Sequence, residues 1–328
     1  PQRDQARDAW TRSVLGDEPF TLARASMDAG FRSYWRATTP ARSLIVMDAP
    51  PDKEAVQPWL GVHALLASGG IRVPEVLAHD GGRGFLLLED LGNETYLHVI
   101  EAGNADDLFD AAFDQLLKLQ AIAVPTDFPE YDPDLLMREL RLFDEWFLGR
   151  HLGIQLDDAS LARLQQAYRF LAEAALAQPQ VLVHRDYMPR NLMPVSDCTA
   201  VIDFQDAVRG PIAYDVLTLF KDAFLSWPQA DVDAWIARYH QRALDAGLRV
   251  PAPARLRRDI DLIGVHRHLK VMGIFARLNH RDGKPKYVAD AARFAGYLDA
   301  VVPRYPELAA LDEILALHVH PALVDAAA

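Results

Sequence analysis

The apolar pattern of the chain changes period once, near Leu91, and this restricts the possible architecture more than any other feature. Before that point, the β-prone runs FTLARASM, YWRATT and SLIVMD lie within residues 20–48, with Asp28-Ala29-Gly30 as a turn signal between the first two. A helical pattern from Glu54 to Ala67 carries Val56, Leu60, His63, Leu65 and Leu66 and stops at Gly69-Gly70. VPEVLAHD and GFLLLEDL read as two further strands joined at a glycine-rich hairpin, and because that GGRG run opens no helix it is not a phosphate loop. After Leu91, DLFDAAFDQLLKLQAI, LLMRELRLFDEWFLGRHL and SLARLQQAYRFLAEAAL repeat their apolar residues at three and four, the period of amphipathic helices. Only VLVH and AVIDF interrupt as short strands. The prediction is an α+β chain of two lobes: a five-stranded antiparallel lobe over residues 1–91, a linker near Glu89–Gly92, and a mainly helical lobe over residues 92–328.

Composition limits the function classes. The net charge of −12 argues against a general nucleic-acid surface, which needs a concentrated positive face. No apolar run approaches the ~18 residues of a membrane span. The opening PQRDQARDAW lacks a secretory core, and Cys198 is the only cysteine, which excludes an intrachain disulfide. A cytoplasmic monomer with no membrane or nucleic-acid partner is expected, with Cys198 a passive small residue. Between Arg255 and Lys286, however, nine Lys or Arg stand against three Asp, opposing the sign of the whole chain.

The stretch VHRDYMPRNL, residues 183–192, and the later IDFQDA carry the chemistry. Phosphoryl transfer needs metal ions on the phosphates and a carboxylate to orient the attacking hydroxyl and take its proton. Asp186 can be that carboxylate; Asn191, five residues on, and Asp203 supply hard oxygen ligands for Mg²⁺. His184 and Arg185 would brace the loop.

With these residues in this order, the chain resembles the protein-kinase-like fold, and within it the aminoglycoside phosphotransferase family. That family keeps Asp, Asn and Asp but follows the last with polar residues, here Gln205-Asp206, and then GPIAYDVLTLF. The resemblance covers about the whole chain. It implies ATP as donor and Mg²⁺ as cofactor, with Gly30 in the turn over the phosphates and backbone groups of Glu89, Asp90 and Leu91 reading the adenine edge. One departure stands out: the third strand should carry a phosphate-binding lysine, yet SLIVMDAPPDKE has Met47-Asp48 there. Arg32, Arg36 or Lys53 could replace it, with Arg32 ranked first because it lies in the phosphate-covering turn.

Two classes follow, an active small-molecule kinase and an inactive kinase-fold binding module, and the three retained residues favour the first. FRSYWR, SLIVMDAPP, LLLEDLG, HRDYMPRNLM and DFQDAVRGPIAYD resemble bacterial cell-wall sugar kinases, which phosphorylate N-acetylmuramate and N-acetylglucosamine at the anomeric hydroxyl in peptidoglycan recycling. The resemblance thus implies a small amino sugar as partner. A basic segment suits a carboxylate-bearing acceptor better than a polycationic aminoglycoside; choline and homoserine are further alternatives. Arg267 and Lys270, three apart on one helix face, and His268 between them are candidate acceptor contacts, as are Glu139, Glu145 and Trp146 in RELRLFDEWFL.

Overall fold

The computed structural model describes residues 2–26, 31–196, 198–284, 287 and 290–327. It divides into two compact units, Pro1–Leu119 with Pro189–Ala207, and Gln120–Met188 with Val208–Ala328.

The first unit opens with a helix, α1 (Gln2–Leu15), followed by β1 (Thr21–Ser26), β2 (Ser33–Thr38), β3 (Ser43–Asp48), α2 (Gln57–Ser68), β4 (Val76–Asp80) and β5 (Phe85–Glu89). The five strands form one antiparallel sheet in the order β1-β2-β3-β5-β4, as the alternating runs predict. Register puts Ala37, Leu44, Val46, Phe85 and Leu87 on one face, where they bury Trp10 of α1. The apolar pattern gives no hint of α1, because charge holds much of it in place. Arg3 and Arg7 reach Asp48 at the end of β3 (2.7 and 3.6 Å), and their guanidinium groups cover Phe85 and Trp35 at 4.1 and 3.7 Å from the ring centroids. The aspartate at the end of the third strand is therefore the acceptor for two arginines from α1. After α3 (Tyr96–Val99) and α4 (Ala105–Ala121, whose last two residues fall in the second unit), the unit is completed by the hairpin of β7 (Leu192–Val195) and β8 (Cys198–Val201). Cys198 is exposed at the start of β8.

The second unit is helical. Asp132 caps α5 (Pro133–Leu142) by accepting the Leu135 N–H at 2.7 Å, and the helix continues as a π-helical stretch, Phe143–His151. Then come α6 (Asp158–Leu176), the pair β6 (Gln180–Val183) and β9 (Val208–Pro211), α7 (Ala213–Phe220), α8 (Gln229–Asp245), α9 (Pro253–Asp282), α10 (Ala291–Asp299), α11 (Ala309–Ile314) and α12 (His320–Ala327). The 30-residue α9 is the axis of this unit; Leu262, Val265, Leu269, Met272 and Ala276 sit in its core beside Leu140, Phe143 and Leu171. Gly273 permits the closest approach, since a Cβ there would stand 2.3 Å from the Leu142 carbonyl, at the point where α5 passes into π geometry.

The segment expected to be a basic face is thus largely a buried helix with internal partners. Arg255 pairs with Asp259, Arg257 with Asp233, Lys270 with Glu139 and Arg281 with Asp282. Lys286 lies outside the described residues. No helix among the described residues is long and apolar enough to cross a membrane.

Candidate active site

In the second unit the loop after β6 carries His184, Arg185 and Asp186. Arg185 has a left-handed backbone (φ 77°), which costs a non-glycine residue about 1–3 kcal/mol and persists only where surroundings enforce it. Here the enforcement comes from Asp215 in α7. Its fully buried carboxylate accepts the backbone N–H groups of His184 (2.7 Å) and Arg185 (3.0 Å). Thr218, one turn on, donates to the Tyr187 carbonyl at 3.0 Å, and the Asp186 N–H donates to His184 Nδ1 at 3.2 Å.

Asp186 itself lies 3.4 Å from Nη2 of Arg267. Burial alone would raise its pKa, but the charges of Arg267, Lys270, His184 and Arg185 outweigh that and hold it below the usual carboxylate range. Asp186 is therefore ionised at neutral pH, with its carboxylate oxygens available as hydrogen-bond acceptors. Burial pushes the Asp215 carboxyl up to about 6. A raised folded-state value means that protonation between the ordinary carboxylate range and pH 6 favours the fold, while removing the charge that grips the loop. We expect turnover to fall as pH drops through about 6 without loss of the thermal unfolding transition; parallel loss of both would refute this role.

Glu139, proposed from sequence as an acceptor contact, is buried and takes Lys270 at 2.9 Å, Arg185 and the Tyr131 hydroxyl as partners. Burial opposes its charge, but Lys270, Arg185 and His266 dominate and lower its pKa to about 2. It joins the brace of the loop to α9. Removing one member of a buried ion cluster typically costs about 3–5 kcal/mol, so Glu139→Gln should unfold at markedly lower urea concentration at pH 7. A depressed folded value contributes stability above pH 4.5 that disappears towards pH 2, so the two proteins should converge in acid. A constant difference from pH 7 to 2.5 would exclude this assignment.

Glu145 is exposed and paired with Arg141 at 2.7 Å, and Trp146 packs on the helical core. Arg267 and Lys270 do share a face of α9, the first directed to Asp186 and the second to Glu139 and, at 3.3 Å, the Tyr214 hydroxyl. His268 is buried with its ring centroid 4.9 Å from that of Tyr297, and burial holds its pKa well below the ordinary histidine value.

In the first unit, Asn191 ends a 3₁₀ turn and is buried, with Nδ2 3.4 Å from Asp203 Oδ2. Asp203 lies two residues past β8 and also has positive φ (64°). It is fixed from both sides: the Ile202 N–H donates to the Asn191 carbonyl (3.0 Å), and Phe204 packs on Trp59 and His63 of α2 at 5.0 and 6.0 Å. Gln205 Nε2 donates to Asp203 Oδ1 at 2.8 Å, while its buried Oε1 has no hydrogen-bond partner. An ionisable carboxylate, a buried amide and an unsatisfied amide oxygen form a hard-oxygen set suited to Mg²⁺ that keeps phosphate and water ligands. No cluster of three or more His, Cys, Asp or Glu that could hold a metal occurs among the described residues.

At the linker, Glu89 pairs with Arg72 (2.5 Å) and Asp90 with Arg36 (2.5 Å), so both side chains are engaged within the protein. Arg36 is thereby held at Asp90, Lys53 pairs with Asp52 at 3.5 Å, and Arg32 lies 3.2 Å from Glu54. Of these three, Arg32 alone retains a buried donor, Nη1, without a partner. Gly30 lies outside the described residues.

Residues 21–258 match the APH family, described as a phosphotransferase enzyme family. The chain belongs to that family. Among curated relatives, a Pseudomonas putida protein named N-acetylmuramate/N-acetylglucosamine kinase is 50% identical over 315 residues, covering 95% of this chain and 93% of that protein. A protein of the same name from Pseudomonas aeruginosa is 52% identical over 299 residues, covering 91% and 88%. Among solved structures, choline kinase LicA from Streptococcus pneumoniae superposes with a TM-score of 0.67 at 14% identity, covering 92% of this chain and 100% of that one. That likeness bears out the protein-kinase-like fold, and the family and curated relatives make this APH phosphotransferase a small-molecule kinase.

Proposed function

We propose that the protein transfers the γ-phosphoryl group of ATP to the anomeric hydroxyl of N-acetylmuramate and N-acetylglucosamine. The observation that carries this reading is identity of 50% or more, over more than nine-tenths of the chain, to two proteins named as kinases of those sugars. The local chemistry supports it. Asp186, ionised beside Arg267, accepts the hydrogen bond of the anomeric hydroxyl and aims its oxygen at the γ-phosphorus. As the O–P bond forms and the β–γ bridge breaks to leave ADP, the hydroxyl proton passes to Asp186. Asn191 and Asp203, with Gln205 beside them, would hold Mg²⁺, which when bound supplies positive charge to the phosphate oxygens. Arg32, with its unsatisfied Nη1, stands in for the lysine absent from β3, and backbone groups at Glu89, Asp90 and Leu91 take the adenine.

A kinase-fold binding protein is the reading that the missing lysine favours. ADP release measured with each sugar, an aminoglycoside, choline and homoserine, with and without Mg²⁺, decides between them. Mg²⁺-dependent turnover of the two sugars to an acid-labile phosphate is expected. An acid-stable product, preferred aminoglycoside turnover or absence of ADP release would each overturn the proposal.

A further inference from the structure

The loop joining α7 to α8 holds an ionisable group used by none of the chemistry above. Asp222 is 1% exposed. Its Oδ1 accepts the backbone N–H groups of Phe224 and Leu225, both at 2.7 Å, while its buried Oδ2 has no hydrogen-bond partner. A buried polar atom left bare costs about 1–3 kcal/mol, more when charged, so its survival marks a place where something else supplies the donor.

Three buried nitrogens nearby are also unpartnered: Nε of Arg267, Nε of Arg293 and Nε2 of His268. They belong to one neighbourhood. Arg293 Nη1 donates to Ser226 Oγ (2.5 Å), which also meets the Tyr297 hydroxyl (2.9 Å), and Tyr297 donates to the Leu225 carbonyl (3.2 Å). His268 lies against the Tyr297 ring, and Arg267 reaches Asp186. Burial pushes the Asp222 carboxyl up, opposed by those two backbone N–H groups and then by Arg267 and Arg293, which places both arginines within its electrostatic reach. Two unsatisfied arginine N–H donors and two unsatisfied acceptors, Asp222 Oδ2 and the neutral His268 Nε2, thus adjoin the proposed base within a single unit.

We infer that this cluster is the acceptor-sugar subsite, in which Asp222 Oδ2 accepts a sugar hydroxyl and Arg293 binds the carboxylate that distinguishes N-acetylmuramate from N-acetylglucosamine. The inference rests on the sugar-kinase reading above. The cations on the helical side are not equivalent, and Lys221 stands over the ring of Tyr297, 5.8 Å from its centroid. Lys270 is neutralised by Glu139, and Arg267 is directed to Asp186. Arg293 is half-buried, hydrogen-bonds the hydroxyls of Ser226 and Tyr297, and forms no ion pair with a carboxylate among the described residues. It also suits the geometry of the sugar: the lactyl acid is carried on O3, away from the reacting anomeric oxygen, and so needs a cation further from the base than Arg267.

The test compares kcat/KM for N-acetylmuramate, its lactyl methyl ester and N-acetylglucosamine. In the wild-type protein, esterification should lower kcat/KM about tenfold or more, the worth of a charge-assisted hydrogen bond. Arg293→Gln should bring the acid down to the level of its ester, with partial recovery in Arg293→Lys. Asp222→Asn should raise KM for all three sugars while leaving the acid-to-ester ratio in place. The substrate comparison in the wild-type protein needs no variant to fold. An acid-to-ester ratio near one, or a ratio that Arg293→Gln alters by less than about twofold, overturns the inference while the sugar-kinase reading stands. If the wild-type protein releases ADP with another acceptor and with none of the three sugars, that reading falls and the inference with it.

Discussion

Asp186→Asn should lower kcat by about 10²- to 10⁴-fold, because a positioned carboxylate base contributes that much to proton transfer. Asparagine keeps the shape of the side chain and can still accept a hydrogen bond, but it cannot take up the proton. The charge of Arg267, 3.4 Å away, then loses its counter-ion, so some weakening of acceptor binding is expected in addition. ATP affinity, measured by calorimetry with Mg²⁺ present, should change little. Turnover within tenfold of wild type would remove Asp186 from the role of base.

Asp203→Ala should reduce turnover by roughly 10³-fold or more, since metal-held charge on a transferring phosphoryl group is worth several kcal/mol. The effect should also appear without catalysis, as a loss of the Mg²⁺ dependence of nucleotide binding. Asn191→Ala removes a neutral ligand and should be milder, with partial recovery at raised Mg²⁺. Equal nucleotide affinity with and without Mg²⁺ in the wild-type protein would refute this division of roles. The positive φ of Asp203 adds a consequence: alanine has no side chain to hold that conformation, so the segment before Phe204 should relax. Hydrogen exchange at Ile202, whose amide bonds the Asn191 carbonyl, reports it.

The five strands and the helices after Leu91 were legible because each is a local pattern: side chains alternate on a strand and recur at three and four on a helix, wherever the partners lie. The loop carrying Asp186 and Asn191, and the Asp203 segment, were legible for a related reason. Base and ligands must sit at set distances along one loop and one strand end, so the motif is short and continuous. α1 was not legible, since its anchor is Asp48, 45 residues from Arg3, and an arginine bound for a buried carboxylate looks in sequence like one bound for water. Glu139 raises the same difficulty: its partner Arg185 is 46 residues away, and its helical spacing matched that of an exposed acidic face. Asp215 left one usable signal, an acid in the first turn of the otherwise apolar AYDVLTLF, but not the backbone it grips.

The basic segment shows the division most sharply. Sequence by itself determined that Arg255 to Lys286 carries an excess of cations, and that Arg267 and Lys270 share a helix face. Only the tertiary structure decided that this helix is the core of its unit, that Glu139 neutralises Lys270, and that Arg267 is turned to Asp186. Net charge adds along the chain whatever the fold. The field at a substrate depends on which charges are paired and how deeply each is buried, and both are settled by contacts between residues far apart in sequence.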